Sequence, residues 1–247
     1  MLKWTTALLV AFAAAVMAVC AGLPARADEG DVDLLLVLAA DVSRSVDDAK
    51  FKLQREGYAA AIADPRVVRA MTGGPNGRIA LVFVEWASEW EQKVVIDWTV
   101  IAGARDAEAV SSRVREAERP YRGRTSISTA IDFSMALLAR SPFQADRRVI
   151  DVSGDGTNNS GRDVISARDE AIAKGVTING LVILSEVPLA TNPSHTHPPG
   201  GLTAYYENNV IGGPGAFVIE AENFEAFGQL IISKLVKEIA ALTPRRM

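Results

Sequence analysis

Asp41, Ser43 and Ser45 stand at alternate positions in AADVSRSVDD (39–48), directly after the most hydrophobic run outside the N-terminal leader. A carboxylate and two hydroxyls at the end of a buried strand have two readings. One is local: the strand runs into a helix, with Ser45 as its N-cap and Asp47 and Asp48 favourable at the positive helix end. The other is a cation site, of which this stretch supplies only part. Thr125 in GRTSISTAI and Asp155 in DVSGDG add a hydroxyl and a carboxylate, so the set offers oxygen and neither sulfur nor nitrogen. Such donors suit a hard cation, Mg²⁺ first, with Ca²⁺ or Mn²⁺ as alternatives. Neutral hydroxyls leave the ion with surplus positive charge, and an open position on it favours a Glu or Asp of another protein. On the bland reading Ser45 and Ser126 are helix caps, Asp155 belongs to a Gly-rich turn, and no ion is held.

These residues need a scaffold that brings distant segments to one edge. DVDLLLVLAAD (31–41) is an unbroken Leu/Val core, the signature of a strand covered on both faces in a parallel sheet. A helix is expected over 47–63, ending before Pro65, then a turn at GGPNG (73–77) and a second strand over 78–88. KVVIDWTVI (93–101) follows after a short break, which makes it an antiparallel edge strand. Helices are expected over 107–118 and 126–140, a strand over 147–156, and a helix over 161–175 closed by Gly175. Strands over 176–184 and 216–221, a short helix over 204–209 and an amphipathic helix over 223–242 complete the chain. This alternation predicts a three-layer, doubly wound, mostly parallel α/β sheet of Rossmann-like type with one antiparallel edge strand. In such a sheet, sites gather at the carboxyl ends of the strands where the strand order reverses, and all three polar clusters fall there.

The pattern D-x-S-x-S, then T, then D resembles the metal-ion-dependent adhesion site (MIDAS) of the von Willebrand factor A (vWA) family, on Asp41, Ser43, Ser45, Thr125 and Asp155. The resemblance spans about 31–242. It implies direct ligation by Ser43, Ser45 and often Thr125, with Asp41 and Asp155 frequently acting through water. More narrowly, VDLLLVLAADVSRSVD, LQREGYAAAI, RRVIDVSGDG and IGGPGAFV look like a set of uncharacterised exported bacterial proteins with this fold. A vWA-like binding protein is therefore expected, using its cation to grip an acidic residue of a protein partner. The alternatives are a metal-dependent hydrolase using the same ion and a scaffold whose site is only structural.

Other features bear on these readings. Glu85 and Trp86, near the end of the second strand, are candidates for the rim of the binding face or ordinary strand residues. Asp151, inside an apolar strand, is expected to be buried and paired. His195 and His197, the only histidines, lie in a Pro-rich loop without a third ligand nearby, so an exposed loop is expected. With no G-x-S-x-G and no P-loop, and with cysteine confined to Cys20, no nucleophile–base pair is evident and an enzyme is not expected.

Lys3, the apolar run 7–19 and Ala25-Arg26-Ala27 read as a signal peptide over 1–27, cleaved after Ala27 and leaving a single domain over 28–247. The run falls short of the about 20 apolar residues a membrane span requires, although an uncleaved anchor is the alternative. The mature chain is then exported, periplasmic or extracellular, without cysteine and without a stable membrane span. Its 24 basic against 30 acidic residues argue against a nucleic-acid partner.

Overall fold

The computed structural model describes residues 30–185 and 187–240. The expected signal peptide, with Cys20, lies outside the described residues. Six strands form one sheet in the order β3-β2-β1-β4-β5-β6. They are β1 (Leu35–Asp41), β2 (Ile79–Trp86), β3 (Gln92–Ile101), β4 (Arg148–Gly154), β5 (Thr177–Ile183) and β6 (Val218–Ala221). All neighbours are parallel except β2 and β3, whose antiparallel hairpin puts β3 at an edge. The chain winds outward from β1 in one direction to β3 and in the other from β4 to β6. The order therefore reverses between β1 and β4, and the carboxyl ends of these two strands are where sheets of this kind place their sites.

The Leu/Val run works as its composition requires. Every residue of β1 is buried, and alternate side chains enter two different cores. Leu36, Leu38 and Ala40 pack under α1 (Asp48–Ala63), α2 (Pro65–Met71), α3 (Ala104–Glu116) and α8 (Phe224–Ala240). Leu35, Val37 and Ala39 pack under α4 (Ile127–Ala139), α5 (Val164–Ala173) and α7 (Leu202–Asn209). A four-residue helical turn, α6 (Pro193–Thr196), sits in the long loop after β5. Among the described residues no helix is long and apolar enough to cross a membrane.

Several local expectations change. Pro65 does not merely end a helix. It is the first residue of α2, capped by Asp64, because proline's fixed φ and missing N–H suit a helix start. The N-cap of α1 is Asp47, which accepts from Lys50 N–H at 2.9 Å, so Ser45 is free for other work. Gly175 closes α5 at φ 74°, as expected. At Gly57 a Cβ would stand 2.6 Å from the Phe227 ring, so only glycine lets α1 and α8 approach this closely.

Candidate metal centre

Asp41 is the last residue of β1, and its Oδ1 accepts the Ser43 N–H at 2.6 Å, which folds the chain back toward the sheet edge. Gln54 of α1 donates to the Asp41 carbonyl at 2.9 Å. Ser43 and Ser45 Oγ are 3.2 Å apart, and Ser45 donates to Asp155 Oδ1 at 2.6 Å, across 110 residues of sequence. Thr125, on the approach to α4, donates to Ser43 Oγ at 3.1 Å. The two strand ends and the α4 loop thus bring together all five oxygen-bearing residues singled out in the sequence.

Neighbouring loops hold these residues in place. Arg119 Nη2 donates to the carbonyls of Val42, Ser43 and Val46, at 2.8, 3.1 and 2.6 Å. Its guanidinium also lies over the Phe51 ring, 5.0 Å from the centroid. Thr125 is clamped by the loop after β4: its carbonyl accepts from the N–H groups of Asn159 and Ser160 at 2.8 and 3.1 Å. Its own N–H donates to Asn159 Oδ1 at 3.0 Å.

His195 overturns its expected place. It is 2% exposed, its ring lies against Gly156, where a Cβ would stand 2.1 Å from Cε1, and its Nε2 is 3.2 Å from Thr125 Oγ1. Burial holds its imidazole below the ordinary pKa, which favours the neutral ring. His197 remains exposed. The loop carries His195 inward through α6, a path that neither composition nor periodicity marks.

Glu85 and Trp86 do not stand on a rim. Both are fully buried at the end of β2. Glu85 pairs with Arg55 at 2.6 Å, and Trp86 belongs to the core under α4. Among the described residues the exposed tryptophan is Trp90, 85% accessible in the β2–β3 turn. That turn adjoins the site, since Ala87 O accepts from Ser126 N–H at 2.8 Å.

The electrostatics fit a cation. Asp41 Oδ2 and Asp155 Oδ2 are buried and have no hydrogen-bond partner among the described residues. Burial, reinforced by the charge of Asp155, pushes the Asp41 carboxyl up to about 8, and burial also raises Asp155. Two adjacent carboxylates with unmet oxygens are costly in a protein interior unless a positive charge joins them. The hydroxyls have matching spacing. Oxygens at about 2.1 Å from Mg²⁺ in adjacent octahedral positions stand about 3 Å apart, like the Thr125–Ser43 and Ser43–Ser45 pairs. Ser45 alone of the five is partly exposed, so solvent reaches the cluster from its side.

The architecture is shared with solved structures. The open conformation of the pilus adhesin SpaC from Lactobacillus rhamnosus GG superposes with a TM-score of 0.58 at 12% identity, over 85% of this chain and 30% of that one. A von Willebrand factor type A structure from Catenulispora acidiphila gives 0.55 at 15% identity, over 85% and 43%. Proximal thread matrix protein 1 from the mussel byssus, with a zinc-occupied MIDAS motif, gives 0.53 at 17% identity, over 87% and 49%. The chain spans less than half the length of each, and what it shares with them is the vWA fold. No curated protein matches its sequence. Residues 31–243 match the family described as "Protein of unknown function (DUF1194)", and the chain belongs to that family.

Proposed function

We propose that this chain is an exported binding protein that holds a divalent cation, Mg²⁺ first, on Asp41, Ser43, Ser45, Thr125 and Asp155. It uses the cation to engage an acidic residue of a protein partner. The observation that carries the reading is the pair of buried, unpartnered oxygens of Asp41 and Asp155 beside three linked hydroxyls at the switch point of the sheet. The fold is one in which a related architecture carries a zinc-occupied MIDAS motif. Bound there, the ion supplies a Lewis-acidic position for a carboxylate. The protein residues hold it, neutralise part of its charge and leave approach from the Ser45 side. Trp90, exposed on the neighbouring turn, supplies an apolar contact for the partner. Binding is preferred over metal-assisted hydrolysis because both ring nitrogens of His195, the imidazole that lies against Thr125, are engaged by neighbours, which leaves that ring unavailable as a base.

Calorimetry and thermal melting with Mg²⁺, Mn²⁺ and Ca²⁺ test the site. Wild type is expected to bind and to melt higher, and Asp41→Ala and Ser43→Ala are expected to lose both effects. Capture of envelope or culture-medium proteins should vanish with chelator and weaken in Trp90→Ala without loss of cation affinity. Capture unchanged by chelator and by Asp41→Ala would sink the proposal. Robust phosphatase or esterase turnover abolished by Asp155→Ala would replace it with the hydrolase reading.

A further inference from the structure

The hydroxyls of the centre form part of a longer chain of hydrogen bonds, and the direction of each proton follows from its two ends. At one end, the Asp155 carboxylate only accepts, so Ser45 gives its single proton to Oδ1 at 2.6 Å. Ser43 must then donate across the 3.2 Å contact to Ser45. Thr125 donates to Ser43 at 3.1 Å, so it has no proton left for the imidazole 3.2 Å away, and His195 Nε2 must carry the hydrogen.

The other end gives the same answer independently. Asn159 Oδ1 accepts from the N–H of Thr125, which fixes the amide and turns its Nδ2 donor toward His195 Nδ1, 3.2 Å away. Thr157 Oγ1 lies 3.3 Å from the same nitrogen and can donate as well. Nδ1 is thus the unprotonated nitrogen. The opposite tautomer fails twice. It would face Nδ1–H with the amide donor, and, with Thr125 turned to His195 and Ser43 to Thr125, would leave the Ser43–Ser45 contact without a proton.

We propose that His195, oriented by Asn159, is a positioning residue for the cation centre: its Nε2–H sets a one-way proton order through Thr125, Ser43 and Ser45 to Asp155. In that order each hydroxyl accepts one hydrogen bond, donates one and keeps one lone pair. Three lone pairs are thereby aligned for a single ion before it arrives, one from each hydroxyl. The imidazole itself is not a ligand, so the donor set stays all oxygen and keeps its preference for hard cations. This inference rests on the cation-binding reading of the same residues and adds to it the residue that orients the ligands from outside.

The test uses the whole protein with ¹⁵N-labelled histidine. Long-range ¹H–¹⁵N correlation reads the tautomer of His195, with the exposed His197 as internal reference. With chelator present, the Nε2–H form is expected, and it should persist when Mg²⁺ is added. An Nδ1–H form, or loss of the Nε2 proton on adding Mg²⁺, overturns the proposal. Calorimetry with Mg²⁺ should show affinity about 10-fold or more weaker in His195→Ala, in line with the loss of groups that orient metal ligands. His195→Gln, whose side-chain amide can take the same donor place, is expected to recover most of it. Unchanged Mg²⁺ affinity in His195→Ala would also overturn the proposal. Failure of the wild type to bind any divalent cation overturns the underlying reading instead, while the tautomer in chelated protein still decides the proton order.

Discussion

Arg119 braces the candidate metal centre without touching any of its oxygen-bearing side chains. One guanidinium nitrogen serves three carbonyls of the turn that presents Ser43 and Ser45, and the side chain is 8% exposed. Lysine has the charge but not the planar fork or the stacking on Phe51. Hydrogen bonds from charged donors contribute about 1.5–3 kcal/mol, so Arg119→Lys should lower stability by about 2 kcal/mol in urea denaturation. It should also weaken Mg²⁺ binding in calorimetry, because the turn loses its support. Asp41, Ser43, Ser45, Thr125 and Asp155 were legible in the sequence because strand ends and short spacings announce them. Arg119, Asn159 and His195 were not, since their roles depend on where loops travel after leaving the sheet. Trp90 was missed for a related reason. Trp86 and Trp90 are four residues apart, and only the true end of β2 decides which is core and which is exposed.

At the scale of elements, the sheet was readable because the apolar run of β1 has one economical use, a strand covered on both faces. The hairpin edge followed from the short break before β3. What the pattern hid was α2, because a proline after a helix reads as a stop when it can equally be the first residue of the next one. Also hidden was the tight crossing of α1 on α8, which periodicity does not encode and glycine permits. Gly57→Ala tests that crossing. Alanine gains about 1 kcal/mol of helix propensity over glycine. Its methyl would meet the buried Phe227 ring at 2.6 Å, and overpacking of that kind costs about 1–3 kcal/mol. Overpacking should win by about 1 kcal/mol, read as a lower midpoint in chemical denaturation. A stability gain would show that α8 shifts without penalty.

Across the whole molecule, a second set of buried charges ties the last helix to the sheet. Lys234 of α8 is fully buried and pairs with Asp151 of β4 at 2.5 Å, as expected of a carboxylate inside an apolar strand. Glu238, one turn further on, lies 3.4 Å from Lys234 and bonds Asn179 of β5, while Arg147 donates to its carbonyl. Burial pushes the Glu238 carboxyl from 4.5 up to about 7 against the pull of Lys234, with the Asp151 charge adding to the rise. Because the folded value is the higher one, the stabilisation is complete below the unfolded value of 4.5 and is lost as pH rises through about 7. Chelated protein should therefore have a lower urea midpoint at pH 8 than at pH 5, and Glu238→Gln should show a smaller fall. An equal fall in that variant would assign the effect elsewhere. The Asp151–Lys234 pair also governs how the protein can be cut. Asp155 follows directly after the strand that carries Asp151, so a recombinant fragment ending at β6 would carry every oxygen of the centre yet leave a lone carboxylate stranded in the sheet. The shortest piece that keeps the proposed cation site on an intact sheet must run through α8, and a reporter or surface fusion belongs after that helix rather than before it.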